Sequence, residues 1–162
     1  MRISNLKDED FVNYKKPSMF IGTCFCNWKC CDEAGISREV CQNYQLHNSK
    51  IHELSNEQIY RRYINNPLTS AIVIGGLEPI LQVEEVLDLI SYFRSKDCKD
   101  DFVIYTGYTE EELINNHILD KFKKYDNIIF KFGRFKPNQE KHWDEVLGVY
   151  LISDNQYGKK VS

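Results

Sequence analysis

Residues 101–113 read Asp-Phe-Val-Ile-Tyr-Thr-Gly-Tyr-Thr-Glu-Glu-Glu-Leu. Asp101 to Tyr105 is a short run rich in β-branched and aromatic residues, which predicts a buried strand. Thr106-Gly107 ends it. Thr109 followed three positions later by Glu112 is a capping box, so a helix opens there and runs through Leu113. One stretch thus holds a strand, a glycine turn and a helix start, the repeating half of a βαβ unit.

The same grammar recurs on both sides. Upstream, Ser70 to Ile74 reads as a strand entering Gly75-Gly76, and a helix follows from about Val83 to Arg94. Val83, Val86, Leu87, Ile90 and Phe93 keep to one face of that helix. Earlier still, Met19-Phe20-Ile21 is an apolar run ending at Gly22. Ser55 with Gln58 is a second capping box, opening a helix that Pro67 stops. Downstream, a short helix is read over Ile118 to Tyr125, with strands at Asn127 to Phe132 and Val146 to Ile152. Strands alternating with helices predict an α/β class, with right-handed crossovers and a mainly parallel sheet in a single domain over 1–162. Residues 1–16 read as a polar, loosely held arm. Residues 24–48, rich in Cys, Asn, Asp and Gly and without periodicity, read as a long functional loop.

In a parallel sheet, ligands gather at the carboxyl ends of the strands. The chemically distinctive loops all fall there: the cysteine segment, Gly75-Gly76-Leu77-Glu78-Pro79, and Thr106-Gly107-Tyr108-Thr109. The chain has 162 residues, 42% hydrophobic and 28% charged, which suits a globular core. Lys plus Arg number 21 against 24 Asp plus Glu, a net charge of -3. With no basic block, there is no electrostatic case for nucleic acid or a membrane surface. No secretory leader is read in the polar start, and the longest purely aliphatic run, Ala71 to Ile74, is far too short to span a bilayer.

Cysteine is the abnormal component. There are six, and Cys24, Cys26, Cys30 and Cys31 crowd one segment, with Cys41 nearby and Cys98 apart. Crowding of this kind is unlike a secreted disulfide framework. It points to a reducing cytoplasm and to metal or redox thiols. Cys26 and Cys30 lie four positions apart after the first strand. Their spacing leaves three readings open: an iron–sulfur cluster, a zinc site and buried free thiols. The glycine pair at 75–76 allows close backbone approach to a ligand, or is simply a tight turn. His47, His52, His117 and His142 share no metal spacing. Lys29, Arg134 and Lys136 read as solvated charges, Asn155 and Gln156 as exposed amides, and Cys98 as a bystander.

Taken in order, these segments resemble the small radical S-adenosylmethionine activases, above all those that activate anaerobic ribonucleoside-triphosphate reductases. The likeness runs over about residues 17–158. It is carried by Cys26-x-x-x-Cys30, by Ala71 to Gln82 with Leu77 inserted in a Gly-Gly-Glu-Pro segment, by Val103 to Leu113, by Gly133-Arg134-Phe135, and by Leu147 to Gln156. The resemblance implies a partial (β/α) barrel. It also implies a [4Fe-4S] cluster on Cys26, Cys30 and a third cysteine, with S-adenosylmethionine on the open iron. The family spacing would put the third ligand at position 33, which is Glu33. Cys41, followed by Gln42-Asn43 as in the family's Cys-x-Asn, takes that role, with Cys24 and Cys31 as alternates. Gly75, Gly76 and Glu78 would line the methionine part, and Thr106, Gly107 and Tyr108 the same rim. The implied partners are a glycyl-radical enzyme, such as an anaerobic ribonucleotide reductase, and a flavodoxin- or ferredoxin-type electron donor. Two other readings stand beside this one: an iron–sulfur or zinc module without radical activity, and a radical enzyme acting on another substrate.

Overall fold

The computed structural model describes residues 1–162. In chain order the elements are β1 (Arg2–Ile3), β2 (Asn5–Asp10), β3 (Ser18–Thr23), α1 (Lys29–Ala34), α2 (Tyr44–His47), β4 (His52–Glu53), α3 (Asn56–Ile64), β5 (Ala71–Gly76), α4 (Val83–Ser95), β6 (Asp101–Tyr105), α5 (Glu110–Asn115), α6 (Ile118–Phe122), β7 (Ile128–Phe132), β8 (His142–Asp144), β9 (Val149–Leu151) and β10 (Tyr157–Lys160). Short 3-10 turns cover Arg38–Val40 and Pro79–Gln82.

The main sheet has six strands in the order β10-β7-β6-β5-β3-β2. The inner four, β3, β5, β6 and β7, run parallel. The edges β2 and β10 pair antiparallel with β3 and β7. Each inner strand is laid down beside its predecessor, always on the same side. Crossovers of one hand then put the connecting helices α3 to α6 on one face, and the packing agrees. Ile59, Tyr63, Val86, Leu89, Ile90, Phe93, Leu113, Leu119 and Phe122 from the helices share one apolar core with Met19, Ile21, Ile72, Ile74, Phe102, Ile104, Ile128, Phe130 and Phe132. Phe93 is fully buried and meets Phe102 edge-on, with ring centroids 5.2 Å apart. Alternate strand residues face the other way. Ala71, Val73, Val103 and Ile129 pack there against Tyr14, Leu147 and Leu151, with no helix contributing.

Both capping boxes form. Ser55 Oγ accepts from the Gln58 amide at 3.1 Å, and Gln58 Oε1 accepts from the Ser55 amide at 2.8 Å. Thr109 and Glu112 make the same reciprocal pair at 3.2 and 2.9 Å.

Residues 1–16 are not a loose arm. They form β1, paired with β4, and the edge strand β2, paired with β3, and Ile3 enters the main apolar core. Tyr14 is buried and donates to Asp101 at 2.9 Å. The cysteine segment is not structureless either, since it carries α1, the 3-10 turn and α2. The strand read over Val146 to Ile152 shortens to β9, which forms a separate hairpin with β8. Asp144 closes that hairpin by accepting from the Leu147 amide at 2.8 Å, and ties it to β10 by accepting from the Gly158 amide at 2.7 Å. No helix is long and apolar enough to cross a membrane.

Candidate functional site

The carboxyl ends of β3, β5, β6 and β7 open onto one cavity of about 580 Å³ on the face opposite α3 to α6, with α1 and α2 forming part of its wall. Four cysteines line it: Cys26, Cys30, Cys31 and Cys41. Cys24 does not. Its amide donates to Gln82 Oε1 at 2.7 Å, and its thiol lies under the influence of Glu85 and Arg2 instead. Cys98 sits beside Asp100, away from the cavity.

Trp28 enters α1 in the left-handed region, φ 60°, and turns the chain so that Cys30 and Cys31 become helical neighbours. Adjacent helical residues diverge by about 100°, not the 180° of extended chain. That is why both thiols reach the same cavity. The Trp28 amide donates to Cys26 Sγ at 3.3 Å. Burial pushes the Cys26 thiol up to about 11 and raises Cys30 and Cys31 as well. Burial thus favours the protonated thiols, and a bound metal would favour the thiolates.

Glu78 is buried beneath the cysteines. Its Oε1 accepts from Thr106 Oγ1 at 2.7 Å and the Ile80 amide at 3.0 Å, and its Oε2 accepts from the Gly107 amide at 2.8 Å. Burial raises its pKa, and these donors oppose the rise. A carboxylate offers about four lone-pair positions, so about one is left for anything else. Glu78 thus joins the β5 and β6 loops. Gly107 is a place of close approach: a Cβ there would stand 3.0 Å from Cys30 Sγ and 3.4 Å from Glu78 Oε2, so those side chains would have to give way. Gly76 has φ +82° and lies over Gly22, where a Cβ would come within 3.1 Å of the Gly22 Cα. Gly75 is held in the sheet behind Tyr105 and Phe20, which line the cavity while Gly75 does not.

Lys29 and Arg134 are not solvated charges. Arg134 grips Glu112 with two bonds of 2.7 Å and pairs with Glu33 at 2.7 Å. Lys29 donates to the same Glu112 at 2.6 Å. Tyr108 lies near both cations and accepts from Asn27 at 3.0 Å. This network fastens α1, whose second residue is Cys30, to the β6 loop and the end of β7. Gln156 is buried rather than exposed, donates to the Gly133 carbonyl at 3.4 Å and lines the cavity. Lys136 is solvated as read, half exposed beside Asp154.

Sequence reasoning passed over Lys131. It sits in the apolar run of β7, is 7% exposed, and lines the cavity. Burial pushes its pKa down to about 8, against the pull of Cys30 and Glu78. A lysine inside a strand that is otherwise entirely apolar was the available signal.

No histidine lines the cavity. Apart from Glu78, which is engaged by three donors, the metal-ligating side chains of the cavity are all cysteines, which suits an iron–sulfur group or another soft metal. The sulfurs share the cavity without converging, since no three His, Cys, Asp or Glu side chains stand at metal-holding distance. Cys26 and Cys30 flank the left-handed Trp28, and the rest of α1 and a 3-10 turn separate Cys30 from Cys41.

Residues 18–155 match the family model described as "4Fe-4S single cluster domain". No curated protein and no solved structure matches the chain.

Proposed function

The chain belongs to the 4Fe-4S single cluster domain family, and from that premise we propose that it is a radical S-adenosylmethionine activase. In this reading Cys26, Cys30 and Cys41 hold the cluster. The observation that carries it is the meeting of these thiols with Gly76, Glu78 and Gly107 around one cavity at the strand ends. A volume of about 580 Å³ lies within the range of small-molecule sites. When bound, the cluster and S-adenosylmethionine supply a one-electron reductive cleavage whose 5'-deoxyadenosyl radical takes hydrogen from a glycine of a partner enzyme.

The chain's own residues bind and orient. Gly76 exposes backbone to the cavity. Glu78 keeps the two glycine loops in register and retains room for one donor, such as an ammonium. Gly107 leaves space for Cys30. Tyr108, Lys29, Glu112 and Arg134 hold α1 against the rim. An anaerobic ribonucleotide reductase as partner, a flavodoxin- or ferredoxin-type donor, a reducing cytoplasm and a partial-barrel curvature of the sheet all belong to the same proposal.

Anaerobic reconstitution tests it, with iron and sulfide counted and 5'-deoxyadenosine assayed. About four irons per chain and reductant-dependent 5'-deoxyadenosine are expected. A stable cluster without cleavage would make the chain a cluster-binding module instead.

A further inference from the structure

The cations around the cavity differ in one respect. Lys29 and Arg134 are neutralised by Glu33 and Glu112. Lys7 reaches the cavity from the exposed side of β2. Lys131 is buried, yet its only side-chain hydrogen bond is to the Gly133 carbonyl at 2.8 Å, and no carboxylate makes an ion pair with it. The closest candidate, Glu78, is occupied by Thr106, Gly107 and Ile80. A buried charge without a counter-charge is costly, and one carbonyl leaves two ammonium donors unused. Lys131 also lies where it can meet one. Its carbonyl accepts from the Thr106 amide at 2.9 Å, one residue from Gly107, and Gly107 lies against Cys30.

We propose that Lys131 is the counter-charge for the thiolate-bound cluster and sets its reduction potential upward. This rests on the reading of Cys26, Cys30 and Cys41 as ligands. Binding deprotonates the thiols and brings negative charge into the cavity beside the ammonium. Taking up one electron from the donor adds a further negative charge. A fixed cation in a low-dielectric site favours that reduced form over the oxidised one. Lys131 is accordingly a tuning residue that acts through the cluster.

The test compares wild type, Lys131→Met and Lys131→Arg, each with and without iron and sulfide. The readouts are thermal unfolding, iron content, and the midpoint potential from a dithionite titration followed by electron paramagnetic resonance. Without cluster, Lys131→Met should unfold at the same or a higher temperature, because a lone buried charge is gone. With cluster, it should lose iron faster and titrate at a more negative potential, while Lys131→Arg stays near wild type. An unchanged midpoint in fully loaded Lys131→Met overturns the proposal, as does equal destabilisation with and without cluster. Wild type that takes up no iron and sulfide overturns the cluster reading and this inference together. Wild type that loads but cleaves no S-adenosylmethionine overturns the radical reading alone, and the midpoint shift still decides on Lys131.

Discussion

The two faces of the sheet are built on opposite principles. The helix side is a continuous apolar core in which Phe93, Phe102, Phe122, Phe130 and Phe132 are fully buried. The other side has a small apolar patch around Val73 and Val103. Towards the strand ends that patch gives way to buried polar groups: Glu78, Thr106, Lys131 and Gln156. The first face is where burial of apolar surface stabilises the chain. The second spends part of that stability on keeping charge and thiols out of water, as binding sites do. The strands serve both faces because neighbouring residues point to opposite sides.

Four groups of tests break or sharpen that contrast. The largest effect is expected at the thiols: Cys26→Ala or Cys30→Ala should abolish cluster retention and S-adenosylmethionine cleavage while the melting temperature of the unloaded chain changes little. Cys41→Ala should behave alike and Cys24→Ala should keep the iron, and the opposite pattern would move the third ligand. Next comes the closed face. Phe93→Ala should cost about 3–5 kcal/mol in denaturant unfolding, with iron content per folded chain unchanged; a selective loss of iron would show that the two faces are coupled. Gly107→Ala should be milder and of the reverse kind. Its Cβ would crowd Cys30 and Glu78, so iron should dissociate several-fold faster at nearly constant stability, and a large stability loss instead would contradict the division. The smallest effect is on acidification. Arg134 holds the Glu112 carboxyl well below its ordinary range, with Lys29 and the Thr109 amide assisting. A depressed folded-state pKa gives stability that is present above the unfolded value, roughly pH 4.3, and is lost as pH falls through the folded one. The melting temperature of wild type should therefore drop more steeply below that pH than that of Arg134→Met, and parallel curves would remove the network from the account.

What could be read from sequence follows the same division. Asp101 to Tyr105 and Ala71 to Ile74 were legible because strands buried on both faces are nearly continuous apolar runs. The two capping boxes were legible because their chemistry is local. The edge strands were not. Asn5 to Asp10 and Tyr157 to Lys160 are polar, and they exist because β3 and β7 offer unpaired backbone groups, which no periodicity reports. In the site, the thiols, Glu78 and Gly107 stood out by residue type and by their position after strands. The Glu33–Arg134–Glu112–Lys29 network did not, because its members lie far apart in the chain and meet only once β7 lies beside β6. Lys131 escaped notice because an apolar run was read as a whole rather than position by position.

The charged edge strands have a consequence for self-assembly. An open sheet ends in two rows of unpaired amides and carbonyls, which can template growth by an incoming strand. Here those rows carry Lys7, Asp8 and Glu9 on one side and Lys159 and Lys160 on the other. A docking strand would have to approach a row of charge on either flank. The sheet therefore limits self-assembly by its own composition, and the chain is guarded against fibrous growth whether or not its site is filled.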